Sequence, residues 1–102
     1  MAARNDNIIK GKTQSGIKFA LDKRIQDDTR MLYYLTKMED KNRTDLERGQ
    51  ALMSLMELMF GVGDGLEAFF NEVAAKHNGI ADKDSLMAEM SDIFEALQIK
   101  NS

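Results

Sequence analysis

The spacing of hydrophobic residues divides the chain into an N-terminal segment with strand periodicity and four later segments with helix periodicity. In the first segment Ile17, Phe19 and Leu21 alternate with polar or small residues, the period of two that a half-buried strand shows. The later segments repeat apolar residues every three or four positions, as amphipathic helices do. The pattern predicts one α+β domain, residues 1–102, that is mostly α: a β-hairpin at about 7–22, followed by a small bundle of helices at about 23–40, 44–60, 64–78 and 83–98.

The segment 44–60 is the most apolar of these and should organise the rest. Its leucines, methionines and phenylalanine cover about two-thirds of the helix circumference, far more than the stripe of a surface helix. We therefore expect it to be covered on several sides, with Leu52 near its centre. Thr44 and Glu47 have the spacing of a capping box, which predicts where the helix begins.

The hairpin turn is predicted from residues 14–16, Gln-Ser-Gly. Such a sequence suits a three-residue loop with Gly16 in the left-handed conformation, and the resulting register places Phe19 across Gly11. A two-stranded hairpin is marginally stable in water. Its apolar face should rest on the helices or on strands that a neighbouring molecule supplies. The expected cross-strand pairs are Thr13–Ile17, Gly11–Phe19 and Ile9–Leu21.

Aspartates mark three further helix starts. Asp22, Asp64 and Asp82 each precede an apolar helical pattern and are predicted as N-caps. The first helix should bury Ile25, Met31, Leu32, Leu35 and Met38, and the third should bury both Phe69 and Phe70. On the last helix Leu86, Met90, Ile93, Phe94 and Leu97 form the predicted apolar face, and Glu89, Asp92 and Glu95 the opposite, solvated one.

The composition predicts a protein that is not an enzyme and has no catalytic, cofactor or metal site. There is no cysteine and one histidine, which makes thiolate chemistry and a His-based metal site improbable. His77 is expected to be partly buried and to bond the last carbonyls of its helix. Gly61–Gly65 lacks the strand and the lysine of a phosphate loop, and 81–85 lacks the later ligands of a calcium loop.

Charge and hydropathy bound the location and the partners. The net charge is −3, which argues against a nucleic-acid partner, since such domains usually carry a basic face. No run of about 18 apolar residues and no signal-like N-terminus is present, so a cytoplasmic protein without a membrane partner is expected. The helix after Gly61–Gly65 is acidic, which disfavours a helix-turn-helix DNA binder.

The two halves of the chain differ in charge. Residues 1–50 hold eleven Lys/Arg and eight Asp/Glu, a charge of +3, whereas residues 51–102 hold three and nine, a charge of −6. These charges are either solvated faces without consequence or patches that attract copies of the chain head to tail, which forms rings or open spirals. The predicted interaction surface consists of Ile17, Phe19, Tyr33, Leu55 and Met59.

The opening NIIKGKTQSGIKFALDKRIQDDTRMLYYLTKME contains the hairpin pattern G-K-T-x-S-G, then F-x-L-D, then a short helix that starts at Asp-Asp. Together with LMSLMELMFG, the HNG break and the ending IFEALQIKNS, it resembles the small tail assembly chaperones of long-tailed phages and prophages of Gram-positive bacteria. The resemblance implies a non-enzymatic protein of the host cytoplasm that binds the tape measure protein, recruits tail tube subunits and self-associates into rings or spirals.

A different class of function also fits the sequence. A small phage or bacterial regulatory protein, such as an anti-repressor or an inhibitor, could lay an apolar groove over a partner helix.

Overall fold

The computed structural model describes residues 7–61 and 63–97. It has an N-terminal antiparallel hairpin followed by helices, with a Cα radius of gyration of 13.9 Å. The predicted α+β, mostly α fold is confirmed. The elements are β1 (Ile8–Lys12), β2 (Lys18–Asp22), a short 3-10 helix (Lys23–Asp27), α1 (Thr29–Glu39), α2 (Asp45–Phe60), α3 (Asp64–Lys76) and α4 (Lys83–Leu97).

The hairpin has the predicted register. Gly11 pairs with Phe19 and Ile9 with Leu21, and the Thr13 amide donates to the Ile17 carbonyl at 2.9 Å. Gly16 has a φ of +98°, the conformation that the three-residue loop requires. The Phe19 ring lies so close to Gly11 that a Cβ there would be 2.6 Å from the ring Cζ. A side chain at position 11 would therefore force the Phe19 ring to move.

The prediction of one helix over 23–40 is wrong, because the chain is interrupted at Asp28. Asp22 caps only the 3-10 turn, and the extended backbone of Asp28 separates that turn from α1. The Asp28 carboxylate accepts from the Arg30 amide at 2.8 Å, which makes it the N-cap of α1. A side chain that satisfies a free amide at this point favours a new helix start over continuation.

The core face of α1 also differs from the prediction. Met31 is buried and Leu35 and Met38 pack against the core, but Leu32 is 67% exposed. Leu32 follows Met31 by about 100° around the helix, which turns it towards solvent. Tyr34, which the sequence pattern did not assign to the core, packs there instead.

The capping box of α2 is confirmed. The Thr44 hydroxyl accepts from the Glu47 amide at 3.1 Å, and the Glu47 carboxylate accepts from the Thr44 amide at 3.0 Å. Helix α1 packs along α2, the hairpin and α3 contact it elsewhere, and the Arg48 guanidinium donates to the Met38 carbonyl at 2.8 Å. The helix is covered on several sides, as expected, and buries Ala51, Leu52, Leu55, Met56 and Met59.

The start of α3 departs from the prediction. Gly63 occupies the N-cap position without a side-chain hydrogen bond, and Asp64 is the first helical residue. Gly61 ends α2 with a φ of +84°, a backbone conformation that favours glycine. Phe69 is buried and stacks on Phe60 with centroids 4.4 Å apart, whereas Phe70 is only half-buried.

The cap of the last helix is as predicted. The Asp82 carboxylate accepts from the Ser85 amide at 2.8 Å, which satisfies one of the free amides at the start of α4. Hydrogen bonding to Ser85 lowers the pKa of Asp82. The apolar side of α4 closes the core with Leu86, Met90, Ile93, Phe94 and Leu97.

A buried polar cluster and the candidate interaction surfaces

A carboxylate lies in the core where the hairpin tip, the end of α3 and α4 meet. The Glu89 side chain, on α4, is only 3% exposed. Its Oε2 accepts a hydrogen bond from the Ser15 hydroxyl at 2.6 Å and lies 2.7 Å from Nε2 of His77. The predicted position of Glu89 on the solvated face of the last helix is therefore wrong.

The hydrogen positions in this cluster follow from its connectivity. The single hydroxyl hydrogen of Ser15 goes to Glu89, so Ser15 must accept from the Thr13 hydroxyl, 3.2 Å away. The Thr13 hydroxyl in turn accepts from the Ile17 amide at 3.1 Å. An ionised carboxylate has no hydrogen, so Nε2 of His77 is the donor to Glu89. Within residues 7–61 and 63–97 the other oxygen, Oε1, is buried without a partner.

Two opposing effects set the pKa of Glu89. Burial, the largest influence, raises it, but hydrogen bonds from Ser15 and His77 together with the His77 charge outweigh burial and lower the pKa below its usual 4.5. Hydrogen bonds to the charged form favour that form. Glu89 is therefore ionised in the folded protein at neutral pH.

The order of the groups does not suit nucleophilic catalysis. In a Ser-His-acid triad the histidine lies between the serine and the acid and takes the serine proton. Here Glu89 lies between Ser15 and His77, so the serine is held as a donor to an acid. The cluster docks the hairpin tip on α4, and the Gln14 amide adds a second bond to the Asp92 carboxylate at 2.9 Å.

His77 was correctly expected to be partly buried, but its hydrogen-bond partner was not predicted. The ring of His77 bonds Glu89 instead of the α3 carbonyls. The sequence did contain a signal for the burial of Glu89: it follows Leu86 by three positions and precedes Ile93 by four, so it lies within the apolar stripe.

Most of the predicted interaction surface lies inside the chain's own core. Ile17 and Leu55 are fully buried, and Phe19 and Met59 nearly so. They pack where the hairpin rests on the helices, and they form no exposed patch in the folded chain. Only Tyr33 is accessible, at 55% exposure, with the Lys37 ammonium 5.0 Å from its ring centroid. In the described ranges, 7–61 and 63–97, the other exposed large apolar side chains are Leu32, Leu46, Met53 and Ile80.

The solvent side of the hairpin carries three lysines, and we call Lys10, Lys12 and Lys18 the basic hairpin face. All three are exposed, and Lys12 lies directly opposite Lys18 in the register. Among residues 7–61 and 63–97, no carboxylate comes within salt-bridge distance of them. Acidic exposed residues lie on the later helices: Glu67, Glu72, Asp84 and Glu95.

No helix in the described part of the chain combines the length and the apolarity needed to cross a membrane. The same residues contain no group of three or more His, Cys, Asp or Glu side chains positioned to hold a metal ion. Comparison of the chain with protein-family models, with curated proteins and with solved structures finds no match.

Proposed function

We propose that this protein is a non-enzymatic phage tail assembly chaperone that binds the tape measure protein and recruits tail tube subunits in the host cytoplasm. The supporting observation is that the hairpin residues of the resemblance are the residues that build and dock the hairpin. Gly11 admits the Phe19 ring, Thr13 and Ser15 connect the turn to Glu89, and Gly16 provides the positive φ. The resemblance thus rests on residues that determine the fold.

The surface for the tape measure protein is assigned to α1 and α2. Leu46 and Met53 are exposed on α2 and, seven residues apart, lie on one face about two turns from each other. Tyr33 adds an aromatic side chain on α1. Methionine and tyrosine suit contact with the apolar stripe of a partner helix, because the first adapts its shape and the second has an apolar body with a polar tip.

Self-association is part of this proposal. The basic hairpin face and the acidic exposed residues of α3 and α4 are two different patches of opposite sign, which suits a head-to-tail contact. The buried Ile17, Phe19, Leu55 and Met59 contribute no area to such a contact, so exposed groups such as Leu32 and Ile80 must supply it. Light scattering should show growth beyond a dimer as concentration rises, weakened by salt. A strictly two-fold dimer unmoved by salt would contradict the head-to-tail contact.

The test of the function is co-expression with the tape measure protein encoded beside the gene. Tagged parent protein should retain the tape measure protein in solution and co-purify with it. The double variant Leu46→Asp/Met53→Asp should lose this capture because two charges enter the apolar contact. Asn71→Asp/Ala75→Asp is the matched control, since it places two charges on exposed positions of α3.

Two outcomes would contradict the proposal. Failure of the folded parent to bind the tape measure protein removes the chaperone function, and capture of a repressor protein instead would favour the regulatory alternative. If parent and both double variants bind equally, the assignment of the surface to α2 is wrong.

A further inference from the structure

The outer edge of β2 is a free strand edge. Hydrogen bonds join Thr13 to Ile17 at one end of the hairpin and Lys23 to Asn7 at the other. In an antiparallel pair the bonded and non-bonded residue pairs alternate, so Lys18 and Ala20 point their amides and carbonyls away from β1. Among the residues that the structure describes, these groups have no backbone partner.

This edge forms one wall of a groove, and α3 forms the other. The cavity has a volume of about 260 Å³ and is lined by Lys18, Ala20 and Leu21 on the strand side. Gly65, Ala68 and Glu72 line it on the helix side at spacings of three and four, which puts them on one face of α3. The stacked rings of Phe60 and Phe69, with Met59, supply the apolar part of the groove lining, and Lys18 and Glu72 supply a charged part.

The charges beside the groove are unfavourable in the isolated chain. Lys12 and Lys18 are direct cross-strand neighbours, an arrangement that destabilises a sheet when the charges are alike. Lys10 adds a third positive charge on the same face. An anionic group next to Lys18 would reduce this repulsion. It would lie beyond β2, in line with the cross-strand pair of Lys12 and Lys18.

We propose that the groove between β2 and α3 binds an extended acidic segment of a partner protein as a third strand. Its backbone pairs with Lys18 and Ala20. Its side chains alternate, so that apolar residues enter the groove over Phe60 and Phe69 while carboxylates lie on the outer side beside Lys18. The site is separate from the surface assigned to the tape measure protein, because it uses the hairpin edge and α3 and not Leu46 or Met53. It shares Lys18 with the basic hairpin face.

Several features indicate that the anionic ligand of the groove is a polypeptide strand and not a nucleic acid. The free amides and carbonyls at Lys18 and Ala20 alternate as in a strand edge, which a peptide backbone complements and a phosphate backbone does not. Glu72 on the opposite wall would repel phosphates that entered the groove. A third strand also converts a marginal two-stranded hairpin into a more stable sheet.

The test uses full-length protein labelled with ¹⁵N and two synthetic peptides of about eight residues, one alternating Val and Glu, the other alternating Val and Lys. The Val-Glu peptide should shift the amide signals of Lys18 and Ala20 and slow their hydrogen exchange, whereas the Val-Lys peptide should not. Ala20→Pro should weaken binding about tenfold or more, because it removes an edge donor. Ala20→Val, which keeps the amide, should bind like the parent.

A second pair of variants covers the case in which Ala20→Pro disturbs the hairpin. Ala68→Phe fills the groove from the α3 side and should also abolish binding, while Asn71→Phe places the same ring elsewhere on α3. Peptide binding that survives both Ala20→Pro and Ala68→Phe, or shifts confined to other residues, would overturn the proposal. So would displacement of the Val-Glu peptide by single-stranded DNA at equal concentration, since the site would then select phosphates.

Discussion

Helix α2 and the hairpin tip are held in the structure by different kinds of interaction. The buried side of α2 consists of Leu52, Leu55 and other apolar residues that contact its neighbours through dispersion and the removal of area from water. The hairpin tip is joined to α3 and α4 by a chain of hydrogen bonds through Ser15 to the buried Glu89. One contact tolerates small displacements, whereas the other has fixed distances and directions.

This difference assigns separate roles to the two regions. Apolar contacts are non-directional and supply most of the stabilisation, so α2 determines whether the helices assemble. Hydrogen bonds to a buried charge are directional and costly to break, so Glu89 determines where the turn of the hairpin lies on α4. The strand edge that borders the α3 groove depends on that position.

The largest effect is expected at the apolar region. Leu52→Asp places an unpaired carboxylate among buried side chains and should reduce the free energy of unfolding by more than about 4 kcal/mol, enough to unfold the protein. Its neighbour Met53 is 39% exposed, so Met53→Asp should change stability by less than about 1 kcal/mol. Circular dichroism during urea denaturation measures both. Equal stability of the two variants would show that α2 is not central.

A smaller effect is expected at the polar cluster. Glu89→Gln keeps the shape of the side chain but removes the charge that Ser15 and His77 stabilise, which should cost about 1.5–3 kcal/mol. Glu95 is exposed on the same helix, so Glu95→Gln should stay within about 0.5 kcal/mol of the parent. NMR should show the amides of residues 13–17 shifted in the first variant only. An unchanged turn would mean that Glu89 does not position the hairpin.

A substitution in the packing of the hairpin should change the stability of the protein less than Glu89→Gln does. Gly11→Ala forces the Phe19 ring to move and is expected to cost about 1–2 kcal/mol. Gly49 on α2 has no heavy atom within 4 Å of the position a Cβ would take, so Gly49→Ala should stabilise the protein by about 0.8–1 kcal/mol. Thermal unfolding should show a lower midpoint temperature for Gly11→Ala and a higher one for Gly49→Ala than for the parent. A stabilising Gly11→Ala would show that the ring does not lie across the glycine.

The smallest expected effect is the dependence of the free energy of unfolding on pH. The pKa of Glu89 is lowered in the fold, so its charge stabilises the protein above the ordinary glutamate value of 4.5. That contribution is lost as the pH falls through the lower, folded-state pKa. Urea denaturation between pH 7 and pH 3 should show a steeper loss in the parent than in Glu89→Gln. Parallel curves would contradict the link between this charge and stability.

Local chemistry made much of the fold predictable. The hairpin register followed from Gly16 and the alternation after it, and the start of α2 from Thr44 and Glu47, because each signal acts over a few residues. The break at Asp28 had a local signal too, a capping aspartate, which the longer apolar pattern of 23–40 concealed. The burial of Glu89 could be inferred from its position in the stripe, but its partners are 74 and 12 residues away along the chain.

The sequence by itself determined the hairpin, the four helices and their order, since periodicity, caps and turn residues are properties of short segments. The 3-10 helix before α1 was not predicted. Only the tertiary structure decided which apolar residues remain exposed. Ile17 and Leu55 are covered because the hairpin folds back onto the helices, while Leu46 and Met53 are left outside although they belong to the same apolar helix as Leu55. Burial depends on which faces meet, and hydropathy alone does not specify that. The groove beside β2 likewise exists only because the hairpin and α3, far apart in the chain, lie side by side.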